Sequence, residues 1–91
     1  MYLYVVNEEG KLAGVIDIKE LLNGSLKATT RLEDIMQQNF IYVKTTSTLK
    51  DVSLLFARYS FRALPILDPT GKIGGVVQYR DVMNLKHIFF E

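Results

Sequence analysis

Two short segments of this 91-residue chain carry side chains whose types and spacing suit chemistry. In "GVIDIKE" the carboxylates Asp17 and Glu20 stand three residues apart; in "GVVQYRD" Gln78 and Asp81 take the same two places, with Arg80 between them. Hard oxygen ligands suit Mg²⁺, which keeps several waters and needs only one or two carboxylates, so Asp17 and Glu20 are candidate metal ligands. The same pair also reads as an N-cap with a capping-box-like acid three residues on, and Asp81 as a first-turn acid that complements a helix dipole. Catalysis has no comparable set. There is no cysteine, the one histidine stands alone at His87, and no nucleophile elbow, strong phosphate-cradling glycine loop or spaced acid–base pair occurs. No enzymatic activity is expected.

Both segments belong to an internal duplication. Aligned without a gap, Leu3 to Leu22 matches Leu64 to Met83 in kind, and Gly10, Lys11, Gly14 and Val15 recur as Gly71, Lys72, Gly75 and Val76. Each copy runs from an apolar stretch ("LYVV", "LPIL") through a turn cluster ("NEEGK", "DPTGK") into a second apolar stretch, which predicts a β-hairpin. Gly10 and Gly71 fall where the turn needs positive φ. A helical pattern follows in each copy, "DIKELLNG" and "QYRDVMNLKH".

The second copy has more before it. "FIYVK" predicts a strand, and Leu49, Val52, Leu55, Phe56 and Tyr59 then recur at helical spacing, with Thr48 and Asp51 placed as a capping box. The full unit is therefore strand, helix, strand, strand, helix, an α/β (α+β) arrangement. Pro65 is expected at a strand start, where its missing amide donor does little harm. The organisation expected is a partial first unit over 1–24, a connector over 25–38 and a complete second unit over 39–91. Thr30 and Glu33 are expected to cap a short connector helix bearing Leu32, Ile35 and Met36.

Composition narrows the function classes. The chain is 48% hydrophobic and 23% charged, which fits a folded domain and not a disordered one. Eleven basic residues balance ten acidic ones and are interspersed, so no nucleic-acid partner is expected. No apolar run reaches the roughly 20 residues that span a bilayer, so no direct membrane insertion is expected. With no thiols, a cytoplasmic setting is the expectation.

The duplicated unit, the "LPI" opening and the connector "RLEDIMQQNFIYVKTTSTLKDV" resemble the cystathionine β-synthase (CBS) domain. The wording is most similar to the cytosolic CBS pair of MgtE-type magnesium transporters. The resemblance implies tandem units packed through their sheets, the first lacking its leading strand and helix. It also implies a homodimer attached to other domains of a larger membrane transporter. A dimer is expected too because the first unit's apolar faces and sheet edge need cover. The apolar end "HIFFE" is expected to pack on a partner chain or run on into a further segment.

CBS pairs that bind adenosine nucleotides carry Gly, two apolar residues, Ser or Thr, two free positions and Asp at the last strand and helix. The resemblance thus places Asp81 on the ribose hydroxyls, a charge-assisted contact of roughly 1.5–3 kcal/mol, and Gln78 where the hydroxyl would be. Arg80 and Arg62 are candidates for phosphate, the backbone at Ala63 and Leu64 for the adenine pocket, and the space between Thr45, Thr46 and Leu64 for the nucleotide. In the first unit Asp17 opposes a phosphate, by about 4 kcal/mol at 4 Å and an effective dielectric of 20, unless Mg²⁺ bridges the two. Tyr2, Tyr4, Phe61 and Tyr79 could stack on a base, although strand aromatics more often serve core or interface. Glu8, Glu9, Glu33 and Asp34 read as solvated charges; the resemblance allows them an Mg²⁺-bridged role between subunits. Candidate cofactors are thus Mg²⁺ and AMP or ATP, none tightly bound.

Overall fold

The computed structural model describes residues 1–22, 24 and 26–89, and side chains as far as Asn84. The expectations for His87 and the apolar end lie outside the described side chains. No helix among the described residues is long and apolar enough to cross a membrane. The chain forms two compact units, Met1–Phe40 and Ile41–Glu91.

In the first unit β1 (Tyr2–Val6) and β2 (Leu12–Asp17) make an antiparallel hairpin, in register from Tyr2 opposite Asp17 to Val5 opposite Gly14. The turn follows from Asn7. Its side-chain oxygen accepts the amides of Glu9 and Lys11, both at 3.0 Å, while Gly10 at φ 81° donates to the Asn7 carbonyl. An Asx turn closed by a positive-φ glycine is what short polar side chains favour. The helix predicted next is a single turn, α1 (Ile18–Leu21).

In the connector, α2 (Leu32–Ile35) forms, but Thr30 does not cap it. The Thr30 hydroxyl instead accepts the Lys27 amide at 3.1 Å, and Arg31 occupies the N-cap without a side-chain bond. A hydroxyl engaged in the preceding turn is unavailable to the helix. Beyond α2 the chain turns back to β2, where Val15 and Gln37 exchange both main-chain hydrogen bonds at 2.8 and 3.0 Å. The connector thus belongs with the first unit. Ile16, between Val15 and Asp17, is fully buried.

The second unit is a three-stranded sheet ordered β3–β4–β5. The strand foreseen at "FIYVK" contracts to β3 (Val43–Lys44), because only these residues find a parallel partner, at Ile66 and Leu67 of β4 (Ala63–Leu67). Between them α3 (Leu49–Arg58) makes the crossover that a parallel pair requires. Its capping box is complete: the Thr48 hydroxyl accepts the Asp51 amide at 3.1 Å and the Asp51 carboxylate accepts the Thr48 amide at 3.0 Å. Then β4 turns back into antiparallel β5 (Ile73–Gln78), which leads into α4 (Tyr79–Phe89).

This second hairpin repeats the first in atomic detail. Asp68 takes the place of Asn7, accepting the amides of Thr70 and Lys72 at 2.9 and 3.0 Å, and Gly71 sits at φ 88°. Pro65 lies in the middle of β4, not at its start, before the two residues that β3 reaches. The core is Val43, Val52, Phe56, Leu64 and Val82, with Leu55, Phe61, Ile66 and Val77 packed against it. Of the helical stripe, Val52 and Phe56 are buried, whereas Leu49 begins the helix and stays exposed.

Candidate functional site

The site is built where β5 passes into α4. Gln78 closes the strand opposite Ala63, and the next residue, Tyr79, donates its amide to the carbonyl of Arg62 at 2.8 Å. That bond ties the helix start to the residue preceding β4, so Arg62 and Arg80 come to one place from opposite ends of the hairpin. The first unit makes the same link, Ile18 amide to Met1 carbonyl at 3.1 Å. In the second unit, Arg62, Gln78, Tyr79 and Arg80 line a cleft of about 330 Å³. Arg80 Nη2 donates to Gln78 Oε1 at 3.5 Å, which turns the amide oxygen toward the guanidinium. Asp81 follows in the first turn of α4 and is exposed.

Two guanidinium groups, charged at any physiological pH, and no acid among the described lining residues make the cleft suited to an anion. Tyr79, 43% exposed as a residue, lines the same cleft, and its ring meets Phe56 edge-on with centroids 5.6 Å apart and planes at 80°. Of the other aromatic candidates, Tyr4 is half-buried, and desolvation followed by the neighbouring Tyr2 raises its phenol above the ordinary range. Phe61 packs on the core and beside Tyr59.

The remaining candidates divide. Ala63 is at the corner through its pairing with Gln78. Leu64 is 2% exposed and a member of the core, so only its backbone remains a candidate. Thr45 and Thr46 are at the other end of β4, about 13 Å along the strand at 3.3 Å per residue. Thr45 donates its amide to Leu67 there. Both threonines line a second cleft of about 340 Å³ with Tyr42, Lys44, Leu67, Asp68, Pro69 and Gly71. The parallel register sets the threonines beside Leu67 and Asp68, not beside Leu64 with which the sequence grouped them. Tyr42 and Lys44 were not foreseen, though the alternation about buried Val43 signals their outward placement.

At the first unit's corner, Asp17 caps α1 by accepting the Lys19 amide at 3.0 Å, and Glu20 Oε1 accepts from Gln37 Nε2 at 3.5 Å. Among the described residues no three acidic, histidine or cysteine side chains converge where they could hold a metal ion. Glu9 pairs with Lys11 at 3.1 Å and Glu33 with Arg31 at 3.3 Å, both in solvent, where such pairs contribute little.

Comparison with known proteins identifies the family. The family model described as the CBS domain matches residues 32–87. The magnesium transporter MgtE of Thermus thermophilus is 36% identical over 84 residues, covering 92% of this chain and 18% of that protein. MgtE of Bacillus subtilis is 29% identical over the same shares. Among solved structures, the cytosolic domain of the Mg²⁺ channel MgtE in complex with ATP superposes with a TM-score of 0.84 at 36% identity, over 92% of this chain and 33% of that one. The soluble part of a magnesium transporter gives 0.88 at 28% identity, over 99% and 34%. The chain therefore spans about a fifth of the length of its curated relatives. With its repeated hairpin–helix corner, its strand–helix–strand–strand–helix second unit and these matches, the chain belongs to the CBS domain family and is homologous to the cytosolic part of MgtE magnesium transporters.

Proposed function

We propose that this chain is a regulatory, ligand-sensing module of an MgtE-type magnesium transporter. It works on the cytosolic face of the membrane, as a homodimer joined to further domains of a longer protein. Its ligand is an adenosine nucleotide held at the β5–α4 corner of the second unit. The observation that carries this reading is the cleft between Arg62 and Arg80, with Gln78 on its wall and Asp81 one residue beyond. Guanidinium groups take phosphate oxygens bidentately, the Gln78 amide can donate where the family's hydroxyl would, and the Asp81 carboxylate accepts ribose hydroxyls. That the 36%-identical MgtE cytosolic domain was solved in complex with ATP supports the choice of an adenosine nucleotide as ligand. A ligand that prefers one arrangement of subunits shifts the balance between arrangements, and regulation consists in that shift.

Calorimetric titration of the chain with ATP and with AMP tests the reading. Heat of binding in the wild type, lost in Asp81→Ala, is the expected outcome; no binding of either nucleotide to the wild type would sink it.

A second reading, favoured by the magnesium transporters among the relatives, is that the module itself responds to Mg²⁺ through Asp17 and Glu20. The two acids supply at most part of a coordination shell, the rest being water, as Mg²⁺ tolerates. The thermal midpoint in Mg²⁺ is compared with a chelated blank at matched ionic strength. Binding at 100 times the dissociation constant stabilises by about 2.7 kcal/mol, roughly 10 °C or more for a domain of this size. A rise that disappears in Asp17→Asn/Glu20→Gln supports this reading, and an unchanged midpoint removes it. If nucleotides and Mg²⁺ both leave the chain unaffected, a dimerisation module without a ligand remains.

A further inference from the structure

Among the described residues that line the cleft at the second unit's corner, one has no place in a purely electrostatic site. Arg62 and Arg80 supply charge and Gln78 an amide, but Tyr79 supplies an aromatic surface. It is the first residue of α4, with 43% of its surface open, although its neighbour in the fold, Phe56, is 5% exposed. The edge contact with Phe56 holds the ring at a fixed angle to the core, and the hydrogen bond from its amide to Arg62 fixes the backbone beneath it. A ring seated edge-on against Phe56, in a residue 43% exposed, loses little freedom when a flat group settles on it. The equivalent position of the first unit, Ile18, carries no ring, so this feature is confined to the second copy.

We propose that Tyr79 is a specificity-determining residue of this site. Its ring receives the flat base of a nucleoside polyphosphate while Arg62 and Arg80 hold the phosphates. This rests on the nucleotide reading above and narrows it. The ligand class is an anion carrying two or more phosphates and a planar heteroaromatic ring; a ligand whose adenosine bears a positive charge is disfavoured by the paired guanidiniums.

The test is calorimetry on the 91-residue chain with ATP and with inorganic tripolyphosphate as probes, in the wild type, Tyr79→Leu, Tyr79→Phe and Asp81→Ala. Base–aromatic stacking changes affinity by about tenfold to a hundredfold. Tyr79→Leu is expected to weaken ATP by that factor and to leave tripolyphosphate binding unchanged, while Tyr79→Phe keeps both. Should the leucine variant fail to fold, Tyr79→Met fills the space against Phe56 with a flexible thioether and carries the same comparison. ATP affinity unchanged in Tyr79→Leu, with binding still lost in Asp81→Ala, overturns the role of the ring and leaves the nucleotide reading intact. Equal weakening of ATP and tripolyphosphate overturns it as well, since the ring then acts only by shaping the arginines. A wild type that binds neither ATP nor tripolyphosphate overturns both.

Discussion

Val15 and Gln37 exchange both of their main-chain hydrogen bonds, amide to carbonyl at 3.0 Å and 2.8 Å. That single bridge places the connector on the open edge of β2, opposite β1. It also explains Gly14. A Cβ at this position would lie 2.7 Å from Cγ and Sδ of Met36 and 2.9 Å from the carbonyl oxygen of Gln37. The methionine can swing away, but the carbonyl belongs to the bridge. At the duplicate position, Gly75, the same added carbon meets, among the described residues, only Ile66 Cδ1 at 3.7 Å, an ordinary contact.

Gly14→Ala is therefore expected to destabilise the chain by about 1–3 kcal/mol, the range for an over-filled contact. Gly75→Ala should change stability by less than about 1 kcal/mol, since an alanine in a strand interior costs no more than the glycine it replaces. Urea unfolding of the two variants measures the difference. Amide exchange at Val15 and Gln37 should accelerate in Gly14→Ala alone.

Phe56 anchors the second unit's core at 5% exposure and supports the ring of Tyr79. Phe56→Ala should cost about 3–5 kcal/mol, a large part of the stability of a domain this small. The urea midpoint reads it. A loss below about 1 kcal/mol would mean that α3 packs less tightly than its burial indicates.

The Thr48–Asp51 capping box satisfies two amides at the start of α3. Thr48→Ala should lower stability by about 0.5–2 kcal/mol, seen as a drop in the thermal midpoint of several degrees. The box also sets a pH dependence. Hydrogen bonds from the Thr48 amide and then its hydroxyl hold the Asp51 carboxyl below the ordinary carboxylate range. In Asp68 the Thr70 side chain does the same, aided by the amides of Lys72 and Thr70. Both groups have a lower pKa folded than unfolded, so their stabilisation is present above the unfolded value, about 3.9, and is lost as pH falls through the lower folded values. Thermal midpoints measured from pH 6 down to pH 2 should decline in the acid range. The decline should be shallower in Asp51→Asn.

Asp81 is exposed and in the first turn of α4, so its removal should affect binding far more than folding. Asp81→Ala is expected to abolish measurable nucleotide binding. Its stability should fall by no more than about 1 kcal/mol, the value of a first-turn acid against the helix dipole. Thermal melts without ligand, run beside the titrations, separate the two effects. A midpoint lowered as far as in Phe56→Ala would assign Asp81 to the fold and not to the site.

Much of the fold is legible in sequence because it depends on neighbours along the chain. The Asx turns at Asn7 and Asp68, the positive φ of Gly10 and Gly71 and the capping box at Thr48 are all closed within four residues. Composition and spacing therefore determine them, and the duplication makes each hairpin a check on the other. Thr30 shows where local rules fall short, since two local partners compete for one hydroxyl and the sequence does not rank them.

Long-range register decided the rest. The threonines at 45 and 46 were set beside Leu67 and Asp68, not Leu64, because a parallel strand pairs in the direction its crossover helix returns it, and a shift of a few residues moves a side chain about 10 Å. The Arg62–Tyr79 bond, the Val15–Gln37 bridge and the contact of Tyr79 with Phe56 join residues 17 to 23 positions apart in sequence. No periodicity encodes such pairs. Sequence alone determined the elements, their order and the family they resemble; tertiary structure decided which charged and aromatic groups share one cleft, because that follows from how strands align and helices dock after the chain has closed on itself.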